Sequence, residues 1–262
     1  MLIAFLVISS QVCILVPYFL HSMPYELQDA VFELVKILGP FNLGALGIVW
    51  NYYQCVTLDP GAVPVGWKPP LSEINQYRQR KADAGGAFAI ASSSGRFCKP
   101  CNGFKPPRTH HCRTCKRCVL RMDHHCPWVA NCVGQRNYAS FMRFLFWVDV
   151  TCSAHLVLLS LRTGDYWWTR IGGSWVSGFR KADDVLILRG RHQRPPTTTT
   201  MVFLVLNFVL CIPTLLLVGI FSLYHFWCLC TNTTTVEGWE KDKADRMINR
   251  GRIREVGGRV LN

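Results

Sequence analysis

The residues between Cys98 and Cys132 offer more metal-binding side chains than structural zinc ions can use. This stretch contains seven cysteines and four histidines. A structural zinc ion takes four ligands in a tetrahedron, so two ions would use eight of these eleven side chains. Three side chains are left over, and placing Cys126, His124 and His110 in this remainder leaves a thiol beside an imidazole and the carboxylate of Asp123. Because this combination activates a cysteine nucleophile, the spacing indicates an enzyme centre built on a metal-bound scaffold.

The same spacing predicts two interleaved zinc sites, each made of three cysteines and one histidine. The first site takes Cys98, Cys101, His111 and Cys118, and the second takes Cys112, Cys115, His125 and Cys132. Spacing alone does not decide which histidine of each His-His pair is the ligand. In a reducing compartment, cysteines clustered in this way more often bind metal than form disulfides. We therefore expect zinc, rather than a hydrophobic core, to hold this segment together.

Composition indicates that these sites belong to a membrane protein. Half of the 262 residues are hydrophobic and only 17% are charged, which is too apolar for an ordinary soluble domain. A helix that crosses about 30 Å of hydrocarbon needs roughly 20 apolar residues. Four stretches meet this length, namely residues 1–20, 37–56, 138–161 and 201–230. We expect an all-α polytopic membrane protein with four transmembrane helices and a cytosolic cysteine-rich domain between the second and third.

Basic residues predict the orientation of these helices. Residues 57–137 contain thirteen Lys and Arg against four Asp and Glu, and residues 231–262 contain seven against five. Since basic loops stay in the cytosol, both segments and both termini should be cytosolic. The basic segment 162–194 would then be luminal, against this rule. The net charge of +13 fits juxtamembrane residues that meet anionic lipid headgroups, and we expect no nucleic acid partner.

These patterns divide the chain into five segments. They are residues 1–56 with transmembrane helices 1 and 2, 57–97 as a cytosolic linker, 98–137 as the zinc-binding catalytic domain, 138–230 with helices 3 and 4 and a luminal loop, and 231–262 as a cytosolic tail. The linker begins with the turn signal Asp59-Pro60-Gly61, and the tail carries Thr234-Thr235-Val236-Glu237. No internal repeat of useful length is visible.

Together these motifs resemble the Asp-His-His-Cys (DHHC) family of protein S-acyltransferases, the palmitoyltransferases. The resemblance is carried by Cys98-x2-Cys101, Lys105-Pro106, Arg108, His111-Cys112-x2-Cys115-x2-Cys118-x4-Asp123-His124-His125-Cys126-x5-Cys132, Asn137 and Phe141. The Asp-Pro-Gly and Thr-Thr-x-Glu motifs match in order and placement. Within the family, this chain looks most like the branch of fungal enzymes found in the endoplasmic reticulum. The segments that carry this likeness are Trp50-Asn51-Tyr52-Tyr53 and Gly238-Trp239-Glu240-Lys241-Asp242-Lys243. That likeness implies an endoplasmic reticulum location.

The resemblance also implies a mechanism. Cys126 would attack a long-chain acyl-CoA such as palmitoyl-CoA, with His124 as the base and Asp123 orienting its ring. A cysteine of a membrane-associated protein would then accept the acyl group. In relatives the second threonine of Thr-Thr-x-Glu contacts the aspartate, so Thr235 is expected to orient Asp123.

Contacts with the acyl donor follow from the resemblance and from side-chain chemistry. The expected contacts with CoA phosphates are Arg96, Lys105, Arg108 and His110. The expected contacts with the acyl chain are Trp128, Phe141 and Phe144. The same side chains are also explained by a solvated or lipid-facing basic surface and by ordinary helix packing or interface anchoring.

Two other functions remain open at this stage. A non-catalytic, membrane-anchored zinc-binding adaptor explains the metal ligands and the spans but gives no role to Asp123, His124 and Cys126. A ubiquitin ligase of the cross-braced zinc type also interleaves its ligand pairs. The triplet Cys112-x2-Cys115-x2-Cys118 and the unused thiol do not fit that class.

Overall fold

The computed structural model describes residues 27–75, 97–171, 198–250, 254–256 and 259–261. Its elements in chain order are α1 (Leu27–Thr57), β1 (Phe97–Cys98), β2 (Gly103–Phe104), β3 (His110–Cys112), β4 (Arg117–Val119), β5 (His124–Cys126), β6 (Asn131–Val133), α2 (Tyr138–Ile171), α3 (Thr198–Cys230), α4 (Thr235–Asn249), β7 (Arg254–Val256) and β8 (Arg259–Leu261). The strands form separate antiparallel pairs, β1-β2, β3-β4, β5-β6 and β7-β8. The expected all-α class therefore describes the long helices, whereas the cysteine-rich segment folds into short hairpins.

Two of the described helices are long and apolar enough to cross a membrane. They provide the segments Tyr138–Leu161 and Met201–Cys230, where the third and fourth spans were predicted. The predicted second span lies in α1, which also contains the polar residues Asn42 and Asn51. The predicted first span lies outside the described residues, so four spans remain a prediction.

The chain divides into two compact units, and the first contains Met1–Trp50 and Phe144–Ser222. Ile48, Val148, Cys152 and Cys211 form its main buried cluster. Two glycines of α1 allow close helix packing, because an added Cβ on Gly44 would lie 2.4 Å from Thr151 Oγ1, and one on Gly47 would lie 2.6 Å from the Trp147 ring. The buried His155 pairs its Nε2 with Asn207 Oδ1 at 3.3 Å.

The second unit contains Asn51–Arg143 and Leu223–Asn262, and its hairpins are structural repeats. In β3-β4, His110, His111 and Cys112 pair with Val119, Cys118 and Arg117. In β5-β6, His124, His125 and Cys126 pair with Val133, Cys132 and Asn131 in the same register. The turns of the first three hairpins each contain one left-handed residue, namely Asn102, Lys116 and Ala130.

No internal repeat of useful length is visible in the sequence, whereas the strand pairing reveals a short one. Cys98 and Cys112 begin equivalent turns, and Cys126 begins the third. The second Cys of the Cys-x2-Cys signal is replaced by Val129 in the third hairpin, which hides the repeat from a simple motif search.

The Asp-Pro-Gly turn packs against the second and third hairpins. Asp59 accepts a hydrogen bond from Arg117 Nη1 at 2.6 Å and from the Gly61 amide at 2.8 Å. Gly61 has φ 123°, which favours glycine, and its carbonyl accepts from Leu120 N at 2.9 Å. Gly134 is also required here, because a Cβ would lie 2.7 Å from the Pro60 carbonyl oxygen.

Asn131 joins the third hairpin to the end of α1. Its side-chain amide donates to the carbonyls of Cys55 at 3.0 Å and Leu58 at 2.9 Å. These contacts satisfy carbonyl groups that a helix C-terminus leaves without partners. Since Asn131 pairs with Cys126, the contact fixes the strand opposite that thiol.

Candidate active site and metal centres

The structure brings together the first predicted set of metal ligands, Cys98, Cys101, His111 and Cys118. The Nδ1 atom of His111 lies 3.5 Å from Cys98 Sγ, 3.2 Å from Cys101 Sγ and 3.9 Å from Cys118 Sγ. In a tetrahedron with Zn–S bonds near 2.3 Å and Zn–N bonds near 2.0 Å, nitrogen and sulfur ligands lie about 3.5 Å apart. The observed separations therefore fit one zinc ion.

The second set, Cys112, Cys115, His125 and Cys132, has the same geometry. The Nδ1 atom of His125 lies 3.7 Å, 3.4 Å and 3.6 Å from the three sulfur atoms in that order. Within each set, the ligand atoms lie within 4.8 Å of one another. All eight residues come from the hairpins and their turns. The donor set of three thiols and one imidazole suits zinc.

Strand alternation decides which histidine of each pair faces a metal site. His111 pairs directly with Cys118, and His125 pairs directly with Cys132. Successive side chains of a strand point to opposite faces, so His124 and Cys126 share the face that His125 does not use. The third hairpin therefore presents a metal ligand on one face and a histidine-cysteine pair on the other.

The turn around Cys126 resembles a metal-binding turn that lacks its second thiol. Cys115 N donates to Cys112 Sγ at 3.3 Å in the second hairpin. The backbone amides of Val129 and Trp128 likewise donate to Cys126. At the position equivalent to Cys115, however, the third hairpin has Val129 in place of a cysteine. Cys126 thus keeps the backbone environment of a thiolate ligand without belonging to either metal set.

Asp123, His124 and Thr235 form a connected hydrogen-bond network. The fully buried carboxylate of Asp123 accepts from His124 Nδ1 at 2.6 Å through Oδ2. It also accepts from Thr235 N at 2.9 Å and Thr235 Oγ1 at 3.0 Å. His124 also interacts with the Cys126 thiol. With its Nδ1 proton directed at Asp123, the ring has Nε2 available as the atom that can take a proton.

Electrostatics in this network favour a charged cysteine-histidine pair. Burial raises the pKa of the Cys126 thiol, but hydrogen bonds with His124 and with the Val129 and Trp128 amides outweigh burial and leave the pKa below its ordinary value. Burial lowers the pKa of His124, yet Asp123 and Cys126 together raise it to about 9. Burial raises the pKa of Asp123, and its contacts with His124 and Thr235 bring it below the usual value. A thiolate beside an imidazolium is the reactive form of a catalytic cysteine.

A third group of possible metal donors, Asp123, His124 and His225, occurs at the same place. Two ligands of one tetrahedral ion with bonds near 2.0 Å lie about 3.3 Å apart. The 2.6 Å separation between Asp123 Oδ2 and His124 Nδ1 is much shorter and is that of a charge-assisted hydrogen bond. We therefore interpret this group as an acid-base network rather than a metal site.

The Thr-Thr-x-Glu motif forms the N-terminus of α4 and presents Thr235 to Asp123. Thr234 is the N-cap, and its side chain accepts from Glu237 N while Glu237 accepts from Thr234 N, a complete capping box. Arg108 donates to both carboxylate oxygens of Glu237 and to the side chain and carbonyl of Asn232. The first threonine and the glutamate thus fix the helix end, which leaves the second threonine to bind the aspartate.

The residues predicted to contact CoA occupy different environments. Arg108 uses four of its five N–H groups on Glu237 and Asn232. His110 is buried, with Nδ1 at 3.4 Å from Glu240 Oε1. Lys105 is half-buried and interacts electrostatically with Cys98. Arg96 lies outside the described residues.

The three aromatic residues predicted to contact the acyl chain are also separated. Phe141 is buried, and its ring packs edge-on against His124 with centroids 5.3 Å apart. Trp128 is 85% exposed, and its carbonyl accepts from the Tyr52 hydroxyl at 3.2 Å. Phe144 packs against the buried cluster of the first unit.

Sequence reasoning missed His225, a fully buried residue of α3. Its Nδ1 lies 3.8 Å from Asp123 Oδ2, and its ring lies 5.5 Å from that of His124. The available signal was a histidine inside an otherwise apolar run, because ionisable residues within membrane helices are functional candidates by default.

Comparisons with known proteins agree with this geometry. The family model described as DHHC palmitoyltransferase matches residues 91–242. The chain is 44% identical to "Palmitoyltransferase PFA4" of Mycosarcoma maydis over 98% of the chain and 50% of that protein. It is 36% identical to "Probable protein S-acyltransferase 13" of Arabidopsis thaliana over 83% of the chain and 66% of that protein. It is 31% identical to "Palmitoyltransferase PFA4" of Yarrowia lipolytica over 80% of the chain and 51% of that protein. The chain thus spans between half and two thirds of the length of these curated relatives.

Proposed function

Because the chain belongs to the DHHC palmitoyltransferase family, we propose that it is a protein S-acyltransferase. In this proposal it transfers a long-chain acyl group from acyl-CoA, through Cys126, to cysteines of membrane-associated proteins. The observation that carries the proposal is the hydrogen-bonded pair Asp123–His124 beside a thiol that belongs to neither metal set. A zinc-binding adaptor would have no use for this network.

In the first step, Cys126 becomes acylated. His124 Nε2 takes the proton of the Cys126 thiol, and Asp123 stabilises the resulting imidazolium. The thiolate sulfur attacks the thioester carbonyl carbon, so a new C–S bond forms as the C–S bond to CoA breaks. CoA leaves as a thiolate and takes a proton, which His124 can return. The products are an acyl-enzyme and free CoA.

In the second step, the acyl group passes to the substrate protein. His124 takes the proton of the acceptor thiol, and the acceptor sulfur attacks the Cys126 thioester. The bond between the acyl carbon and Cys126 breaks, and the Cys126 thiol is restored. The enzyme ends the cycle unchanged, and both steps exchange one thioester for another.

Two zinc ions would hold the hairpins in this arrangement. Cys98, Cys101, His111 and Cys118 would bind one ion, and Cys112, Cys115, His125 and Cys132 would bind the other. Each ion supplies folding free energy to a segment that has little hydrophobic core. Cys126 and His124 would act on the acyl group, and Asp123 and Thr235 would hold the His124 base in place.

Acyl-donor contacts form a separate part of the proposal. The CoA phosphates would contact the basic side chains of Arg96, Lys105, Arg108 and His110. Arg108 could donate its fifth N–H group, because the other four bind Glu237 and Asn232. Phe141, Trp128 and Phe144 would contact the acyl chain.

The location proposed for the enzyme is the endoplasmic reticulum membrane, with the hairpins and both termini on the cytosolic side. There the active site can reach cytosolic acyl-CoA and proteins attached to the membrane surface. Basic juxtamembrane residues and the fungal relatives support this placement.

The direct test of the function uses purified protein, palmitoyl-CoA and a membrane-anchored acceptor peptide with one cysteine. We expect free CoA and S-acylated peptide in equal amounts, with both absent from Cys126→Ser. Release of CoA without acylated peptide from the wild-type protein at any acceptor concentration would show a hydrolase instead.

A further inference from the structure

We propose that His225 is a positioning residue that holds the His124 ring in the orientation needed for catalysis. The inference rests on the proposed function, since it concerns how the base of that reaction is held. His225 lies in α3, about 100 positions after His124 in the chain. It is therefore outside the metal-ligand pattern and the Asp-His-His-Cys motif of residues 98–132.

The ring of His225 forms part of the wall around the catalytic pair. Its centroid lies 5.5 Å from that of His124, with the planes tilted by 42°. It also lies 5.3 Å from Phe141 in an edge-to-face contact, and Phe141 itself lies 5.3 Å edge-on to His124. His124 is therefore packed between two rings that also touch each other, and such contacts prefer the separations observed here.

The edge of the His225 ring faces Asp123, which accepts the hydrogen bond from His124. Its Nδ1 lies 3.8 Å from Asp123 Oδ2, the oxygen that accepts from His124. The Tyr138 hydroxyl lies 3.5 Å from the same nitrogen and 3.4 Å from the His225 carbonyl oxygen. These separations are long for hydrogen bonds, so ring packing supplies most of the restraint.

Packing and polarity together explain why a histidine suits this position. The hydrogen bond from His124 Nδ1 to Asp123 sets the orientation of the His124 ring about its Cβ–Cγ bond, but this single bond at the ring edge does not pack against the faces of the ring. A planar ring against one side of His124 limits rotation away from that orientation, and in the tautomer with a proton on Nδ1 the His225 edge suits the carboxylate 3.8 Å away. Losing this wall would let the base turn away from Cys126, and misplacement by about 1 Å can slow a reaction about 100-fold.

The test is a double-mutant cycle on the rate of Cys126 acylation by palmitoyl-CoA. We expect His225→Ala to slow acylation about 10- to 100-fold while zinc content stays at the wild-type level. In a His124→Ala background, the same change should slow acylation less than about 2-fold, because the group it positions is gone. An equal loss in both backgrounds, or no loss in the wild-type background, would overturn the proposal.

Two further variants separate positioning from folding. His225→Phe keeps a planar ring and should be clearly faster than His225→Ala; equal rates for the two would overturn the packing argument. If His225→Ala loses zinc, His225→Leu replaces it in the cycle, because Leu fills the volume without a planar ring. His155→Ala is the matched control, a buried histidine of another cluster, and any loss it causes should be equal in both backgrounds.

This design also separates failure of the inference from failure of the proposed function. Absence of Cys126-dependent acylation in the wild-type protein would reject the function itself. Normal Cys126-dependent acylation in His225→Ala would reject only the role of His225.

Discussion

At the scale of single residues, the chemistry depends on one thiol that is left out of metal binding. Cys126 stands where Cys98 and Cys112 stand in the preceding hairpins, but Val129 replaces the second thiol of its turn. The same turn still directs backbone amides at the sulfur atom. In the proposed mechanism, this small change in ligand number turns a structural position into a nucleophilic one.

The first prediction concerns pH dependence of acylation. Because contacts with His124 hold the pKa of Cys126 below its ordinary value, and Asp123 and Cys126 raise the pKa of His124 to about 9, the wild-type acylation rate should depend less steeply on pH than the rate of a variant without His124. His124→Ala removes this partner, so its thiol should return towards a pKa near 8.5. Its rate should fall by about 100- to 10,000-fold at pH 7 and rise about tenfold per pH unit below that pKa. Rates measured from pH 6.5 to 9 check this.

The control for this prediction is His125→Ala. This variant should lose a metal ion, and higher pH should not restore its acylation. If His124→Ala loses zinc while His125→Ala keeps it, the two histidines have been assigned to the wrong roles.

Thr235 gives a second prediction at this scale. Thr235→Val keeps the side-chain volume and the backbone N–H bond to Asp123 but removes the hydroxyl that donates at 3.0 Å. A hydrogen bond to a charged group contributes about 1.5–3 kcal/mol, so we expect acylation to slow roughly tenfold or more. Thr235→Ser retains the hydroxyl and should stay near the wild-type rate. Equal rates for the Val and Ser variants would show that the hydroxyl does not orient Asp123.

At the scale of elements, three hairpins and one helix end bring the site together. Each metal set takes one Cys-x2-Cys turn from one hairpin and a histidine-cysteine pair from the next. The third hairpin completes the second set and is followed by α2 rather than by another hairpin with a histidine-cysteine pair. The start of α4 supplies Thr235 through a capping box that Arg108 holds in place.

Zinc content tests this arrangement. We predict two zinc ions per folded chain, with the loss of at least one in Cys98→Ala or Cys112→Ala and a lower melting temperature, because structural zinc contributes directly to folding. Elemental analysis and thermal unfolding measure the two effects. Cys126→Ser is the matched control and should retain both ions; a reduced zinc content in that variant would place Cys126 among the ligands.

Much of this element-scale arrangement could be predicted from the chain, and the reason is local spacing. Cys-x2-Cys pairs and the count of surplus ligands indicate both metal sets, but the strand pairing of the structure is needed to separate His125 from His124. The packing of His225 against His124 and the contacts of Arg108 could not be predicted, because they join segments more than 100 positions apart. The hairpin repeat was missed because Val129 interrupts its cysteine pattern.

At the scale of the whole molecule, the proposed reaction requires a membrane protein with its cysteine-rich hairpins in the cytosol. Two described helices are apolar enough to cross a membrane, and the basic residues of segments 57–137 and 231–262 predict the side. A cytosolic location keeps the cysteines reduced and available for zinc.

Glycosylation tests this orientation. Asn232-Thr233-Thr234 is the one Asn-x-Ser/Thr triplet in the sequence. On the cytosolic side it should remain unmodified when the chain is expressed in cells. A mass shift that endoglycosidase removes and Asn232→Gln abolishes would place the hairpins in the lumen and reverse the orientation.

The most direct test of the central claim locates the acyl group on the protein. Purified protein is incubated briefly with palmitoyl-CoA without acceptor, and its peptides are mapped by mass spectrometry before and after neutral hydroxylamine. We predict up to one palmitoyl group per chain, on Cys126, released by hydroxylamine and absent from Cys126→Ser with both zinc ions retained. A palmitoyl group that persists in the zinc-replete Cys126→Ser variant, or that maps to another cysteine in the wild type, would contradict the claim that Cys126 is the nucleophile.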